Sequence, residues 1–314
     1  MPAGWREDTL ATYIVKRLGL ALLTIWMVAT LTFFLMNLVP GGPFLAEKAP
    51  SAAVLKAMEA KYGLDKPLVV QYKNYMLRIA QGDLGVSIKK KGREITEIIG
   101  EKFPVSARVG GVAIVVALAT GIPLGAVSAL KRGKWQDNLL RFIFTLGIAV
   151  PGFVVATSLL ILLGVKLPLL PTVGLSSPAH YIMPVITLSL YPMAYMARLM
   201  RSSMLDVLGQ DYIRTARAKG LSGRVVLFKH ALRNSLIPII TYLGPLIAYI
   251  LTGSFIVEKI FTIPGLGGEF ISSISNRDYP LIMGTTIFLA SFLILMNLVV
   301  DILYKVVDPR IKFD

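Results

Sequence analysis

An all-α protein that crosses a membrane several times is the fold class this sequence predicts, and three observations predict it. The chain has 314 residues, 55% of them hydrophobic, with a mean hydropathy of +0.68, above the about 45–50% apolar content of ordinary soluble domains. Its charges cluster between six long runs that are almost free of them. Each run is about as long as the roughly 20 helical residues that cross a bilayer.

Residues 1–17 form a short N-terminal segment of mixed charge, and Lys16 and Arg17 precede the first apolar run, 18–39. A secretory signal would have an apolar region of about 7–15 residues and a small-residue cleavage site. This run is longer and ends in Val39-Pro40-Gly41-Gly42-Pro43, so it reads as a retained first span. Residues 40–102 are the one sizeable non-membrane segment. Ser51 can cap a helix whose Val54, Leu55, Met58 and Tyr62 share a face and which Gly63 ends; Pro67 opens a second, closed by Gly82. A basic turn at Lys89 to Lys91 and Arg93 precedes a short amphipathic piece, Ile95 to Ile99. This segment reads equally as a cap over the helix bundle and as a docking surface.

The five-helix remainder, 103–304, begins with a second run from Val109 to Leu130, rich in the small residues that let membrane helices approach closely. Phe142 to Val165 is the third, with Pro151-Gly152 inside it. The fourth, Tyr181 to Met204, is broken by Pro184 and Pro192. Asn234 to Val257 is the fifth, Glu258 to Pro280 an external loop, Leu281 to Tyr304 the sixth, and 305–314 a C-terminal segment. Six spans put both termini on one side. Lys131, Arg132 and Lys134 after span two, and six basic residues after span four, place that side in the cytoplasm. The basic 40–102 segment opposes this, but at about sixty residues charge counting loses force. Cysteines at Ser87 and Ser275 are therefore expected to be labelled from outside, and one at Ser222 is not.

Several functions are excluded or disfavoured. The chain has no cysteine, and its two histidines, His180 and His230, lie on opposite sides of the predicted membrane, so no metal site is expected. No phosphate loop, nucleophile elbow, zinc helix or calcium loop occurs. A net charge of +15 suggests nucleic acid in a soluble chain, but lysines and arginines flanking spans account for it here, and no nucleic-acid partner is expected. The spans hold few ionisable groups, which argues against a proton or sodium carrier. Arg198, Arg201 and Asp301, near predicted cytoplasmic ends, are candidates for a structural ion pair, or for a direct part in a pathway.

The chain is organised around a basic island between spans four and five, Asp211 to Pro238, which overlaps the cytoplasmic region 206–235. It sets Arg214, Arg217, Lys219, Arg224, Lys229 and Arg233 against one acid, Asp211. Asp211 can cap a helix from Tyr212 to Lys219, Gly220 stands where a left-handed helix-ending residue belongs, and Ser222 can start a second helix. Eight helical residues make a rod of about 12 Å, a size that suits a groove on another protein.

This island resembles the cytoplasmic coupling motif of ABC importer permeases. The family's acidic-Ala-Ala triplet falls on Arg214, Thr215 and Ala216, its glycine on Gly220, and its later run on His230, Leu232 and Arg233, with Pro238 beyond. Only the alanine, glycine, leucine and final proline match; the variant RTARAKGL is similar to the peptide-importing branch. The segments AKYGLDKPLVVQY, GDLGVS, FPVSARVG, TGSFIVEKIFTIPGLG, NRDYP and VVDILYKVVDPRI extend the resemblance over nearly the whole chain, to the B-type permease of oligopeptide and dipeptide ABC importers.

The resemblance implies a type I importer permease fold in the inner (cytoplasmic) membrane of a prokaryote. It implies partners: a homologous second permease, two P-loop ATPases, an external peptide-binding protein and a peptide substrate. It implies no cofactor and no enzyme activity in this chain, with ATP and magnesium held by the ATPases. Asp211, Tyr212, Arg214, Thr215, Ala216, Arg217, Lys219, Gly220 and Leu221 would couple to an ATPase. Glu258, Pro264, Gly265, Arg277 and Asp278 would line an external mouth, unless their loop is a passive re-entrant turn. A nickel or other small-solute permease of the same branch, and a stand-alone carrier or channel, remain as alternatives.

Overall fold

The computed structural model describes residues 10–38, 42–44, 52–90 and 92–307, and side chains over 15–38, 42–44, 53–90 and 92–299. Ser51, Lys91, the first nine residues and 308–314 lie outside this set. In chain order the helices are α1 (Leu10–Leu38), α2 (Ala52–Tyr62), α3 (Leu68–Ala80), α4 (Ile95–Leu130), α5 (Trp135–Ala149), α6 (Gly152–Leu159), α7 (Ala179–Leu208), α8 (Asp211–Ala218), α9 (Gly223–Val225), α10 (Arg233–Ser235), α11 (Ile237–Leu251), α12 (Phe255–Ile260), α13 (Leu266–Ser275) and α14 (Tyr279–Val307). π-helical turns extend α6 over Leu160–Lys166 and join α9 to α10 over Val226–Leu232. Among the described residues the only β pairing is a single bridge, Val86 to Glu94.

Five helical stretches are long and apolar enough to cross a membrane, six if α5 and the α6 stretch count as one. The third apolar run is thus not the straight span expected: it bends by 99° at Val150–Pro151, where Pro151 has no N–H for the helix ladder. The opposite correction holds at α7. Pro184 and Pro192 do not break it: both are buried inside one continuous helix. Helix α4 itself does not begin near residue 102. Ile95, Ile98 and Ile99, buried at helical spacing, are the opening turns of α4, which continues through Pro104. The fifth run is interrupted at Gly253, and the stretch expected as an external loop contains α13.

The described residues form two compact units, one of those through Phe103 with Glu269–Leu298, the other of Pro104–Gly268 with 299–307. In the first, α1 meets α3 through aromatic side chains: Phe33 stacks on Tyr75 with ring centroids 5.5 Å apart, and the Thr30 and Tyr72 hydroxyls are 2.8 Å apart. A cavity of about 680 Å³ opens beside them, lined by Tyr62, Tyr75 and Tyr279 among others. Burial pushes the Tyr75 hydroxyl pKa above its ordinary value.

In the second unit α7 is the hub, contacted by α5, α6, α11 and α12. Glycines on α4 make part of this packing possible. A Cβ at Gly125 would collide with the Ala197 carbonyl of α7, and one at Gly110 would lie 2.7 Å from the Ile250 carbonyl of α11. The small residues of the second run thus mark where helices touch.

Candidate functional site

The basic island folds as two helical pieces closed on a small core of their own. Ile213 and Ala216, three apart on α8, are buried against Val226 and Ala231 of the following π-helical stretch. The remaining α8 residues, Asp211, Tyr212, Arg214, Thr215, Arg217 and Ala218, are exposed, as are Lys219, Gly220 and Leu221. The helix therefore uses one narrow apolar stripe to seat itself and offers the rest of its surface outward. A second tie comes from Asn234, whose amide donates to the Tyr212 hydroxyl at 2.9 Å.

Both ends of α8 follow from its sequence, though not quite as expected. The N-cap is Gln210, not Asp211, and no side chain caps the turn. Asp211 lies within the first turn, where its charge suits the helix dipole, and it pairs at 3.3 Å with Arg214. At the other end Gly220 has φ +75. Its N–H donates to the Arg217 carbonyl at 3.0 Å and that of Leu221 to the Ala216 carbonyl at 3.3 Å, the paired bonds of a glycine-terminated helix. Ser222 caps the next helix as expected, accepting from the Val225 N–H at 3.5 Å.

The residues assigned to an external mouth do not share one environment. Glu258 is only 3% exposed. Its carboxylate accepts from the Ser106 hydroxyl at 2.7 Å and the Gly268 N–H at 2.8 Å, while Ser106 accepts from the Leu266 N–H at 2.8 Å. This clasp folds the TIPGLGG turn: Pro264 is exposed, and Gly265 is buried where a side chain would meet Glu258 and Ser106. In the other unit Asp278 is 1% exposed. It accepts from the Ser87 hydroxyl and from the N–H groups of Ile88 and Lys89, both at 3.2 Å. Arg277, partly exposed, adopts φ +55 beside it. Glu258 and Asp278 are thus internal anchors of their turns rather than groups facing outward. Ser87, fully buried, cannot serve as a labelling position.

The ion-pair candidates separate as well. The Asp301 side chain lies outside the described residues. Arg201 instead grips Asp137, Nε to Oδ1 at 2.8 Å and Nη2 to Oδ2 at 2.9 Å. Asp137 also accepts from the Ser128 hydroxyl at 2.7 Å and the Gly133 N–H at 3.0 Å, tying the α4–α5 turn to α7. Arg198 lies over the Tyr195 ring, 5.8 Å from its centroid. Asp137 escaped sequence reasoning, because an acid in a first turn is ordinary and its partner Arg201 lies 64 residues away.

An exposed basic helix seated between two membrane-crossing helices can be compared with known proteins. Residues 121–313 match the family model described as binding-protein-dependent transport system inner membrane component, and residues 10–110 match its N-terminal companion. The chain belongs to this family. The permease is 48% identical to the dipeptide transport system permease protein DppB of Bacillus subtilis (strain 168), over 96% of this chain and 98% of that one. It is 41% identical to the oligopeptide transport system permease protein OppB of Haemophilus influenzae, over 96% and 99%. Among solved structures it is similar to the MetNI methionine ABC transporter in inward-facing conformations, with TM-score 0.54, 15% identity, and coverage of 68% of this chain and 97% of that one. An amino acid ABC transporter crystallised with histidines matches with TM-score 0.52, 17% identity, and coverage of 69% and 95%. At those identities the likeness shows a shared ABC importer permease fold. The permease thus has relatives that are subunits of ATP-driven importers, not enzymes themselves.

Proposed function

We propose that this permease forms half of the pathway of an ATP-driven importer of dipeptides or oligopeptides, paired with a homologous second permease. Two P-loop ATPases holding ATP and magnesium drive it, and an external binding protein delivers the peptide. The observation that carries this reading is α8: eight residues anchored by Ile213 and Ala216, with Arg214 and Arg217 on its exposed surface, where a partner's acidic groove could meet them. The relatives' substrates favour peptide over nickel within the branch. The subunit is placed in the inner membrane of a prokaryote, with 1–17, 206–235 and 305–314 cytoplasmic and 40–102 external. Movement of α8 with the ATPases would rock the two permeases between outward- and inward-facing states.

The test is reconstitution in vesicles. This subunit with all its partners should take up labelled dipeptides or oligopeptides when ATP is supplied, and the subunit alone should neither hydrolyse ATP nor drive uptake. Uptake of nickel but not peptide would overturn the substrate assignment, and ATP hydrolysis by the lone subunit would overturn the permease role. Orientation is checked separately, since the chain has no cysteine of its own. Ser275→Cys, at an exposed position, should react with an impermeant maleimide added outside intact cells, and Ser222→Cys, equally exposed, should not. The reverse pattern would invert the topology.

A further inference from the structure

One face of α7 is unlike a surface meant for lipid. Tyr191, Tyr195, Arg198 and Ser202 recur at helical spacing and form one stripe. Tyr191 is 48% exposed, and Arg198 and Ser202 are exposed. The stripe continues onto α11 of the same unit: the Tyr195 and Tyr242 rings are 4.5 Å apart, those of Tyr191 and Tyr195 6.3 Å apart, and Tyr249, two turns beyond Tyr242, is 73% exposed. Elsewhere on this unit the exposed bulky side chains are what lipid accepts, such as Val115, Phe142, Ile161 and Leu162.

Depth along the helix adds to the contrast. The 30 residues of α7 make about 45 Å of helix, against a hydrocarbon core of about 30 Å. Arg198 lies ten residues before the end of α7, about 15 Å. With α7 centred in the bilayer it falls about 7 Å inside the hydrocarbon core. An ionised group at that depth faces protein or a water-filled path, not lipid. Tyrosines clustered there also lie away from the membrane interface where lipid-facing ones concentrate.

We infer that the Tyr191–Tyr195–Arg198 stripe of α7, with Tyr242 of α11, is the face of this subunit that touches the peptide in transit, Arg198 receiving its C-terminal carboxylate. This rests on the peptide-permease reading. A guanidinium presents paired N–H donors matched to a carboxylate. Tyrosine offers rigid amphipathic area and a hydroxyl that serves many side chains and backbone amides alike, which suits a path that must pass varied sequences. A free carboxylate is common to every such peptide, so one arginine can engage all of them.

The test uses the complete transporter in vesicles with single cysteines in this subunit. Tyr191→Cys and Ser202→Cys should react with a water-soluble methanethiosulfonate reagent, and the adduct should block uptake; Leu162→Cys should not react. Arg198→Gln should lower dipeptide uptake by about tenfold or more, the scale of one charge-assisted hydrogen bond, mainly through KM, with Arg198→Lys recovering part and membrane level and subunit composition unchanged. Wild-type vesicles that take up peptide, together with unreactive stripe cysteines, cysteines that crosslink to the second permease, or wild-type kinetics in Arg198→Gln, would overturn this inference alone. Wild-type vesicles that take up no peptide would sink it together with the reading beneath it.

Discussion

Asp137→Ala is expected to destabilise the folded subunit by about 3–5 kcal/mol, the range for removing one partner of a buried ion pair. Asp137 is 1% exposed and Arg201 keeps only 20% of its side-chain surface. With the carboxylate gone, the guanidinium, the Ser128 hydroxyl and the Gly133 N–H all lose their acceptor at once. The α4–α5 turn then loses its hold on α7, around which the unit packs. The measurement is the thermal midpoint and membrane level of the purified complex. Asp137→Leu combined with Arg201→Met should recover most of the loss, because an apolar pair of similar volume is often as stable as the buried ion pair it replaces. An unshifted midpoint in Asp137→Ala would show that the pair contributes little. A double variant no better than the single one would show that the pair's geometry, not its charge balance, holds the turn.

Where the sequence was legible, one local signal had no competitor. The apolar runs announced α1, α4, α7 and α14, and the Tyr212–Gly220 stretch announced an exposed helix ended by glycine, because both rest on periodicity and backbone chemistry close in the chain. Asp211 shows the limit of such reasoning: a residue suited to the cap was displaced by one position, since Gln210 already has extended backbone. Pro184 and Pro192 were misread because a proline's effect depends on what packs around it, and the bend at Pro151 went unexpected for the same reason. Glu258 and Asp278 looked like outward-facing charges because their partners, Ser106 and Ser87, lie 152 and 191 residues away in sequence. The stripe of Tyr191, Tyr195 and Arg198 was present in the sequence as a helical repeat. It became meaningful only when burial showed that it faces away from the core.

Gly220→Val is expected to abolish most peptide uptake while leaving insertion, membrane level and the remaining fold intact. Gly220 has φ +75, and a side chain there would meet nothing within 4 Å, so the effect is purely conformational. A residue with a Cβ costs roughly 1–2 kcal/mol in this region, and a β-branched one is an outlier there. The local relief is to leave the left-handed conformation. That would break the bonds from Gly220 to Arg217 and from Leu221 to Ala216 and swing α8 away from the helix that Ser222 begins. The spans are untouched, while the seat of Ile213 and Ala216 against Val226 and Ala231 is loosened. What changes is the angle at which Arg214 and Arg217 are presented. Gly220→Asn is the control, because asparagine enters the left-handed region readily and should keep most of the uptake. Both variants are to be expressed with all partners, measuring membrane level, ATPase retention, stimulation of ATP hydrolysis by loaded binding protein, and uptake. Lost uptake in Gly220→Val with normal level, alongside a working Gly220→Asn, is the result that coupling through α8 demands. Wild-type uptake in Gly220→Val would show that the orientation of this helix does not transmit the work of the ATPases.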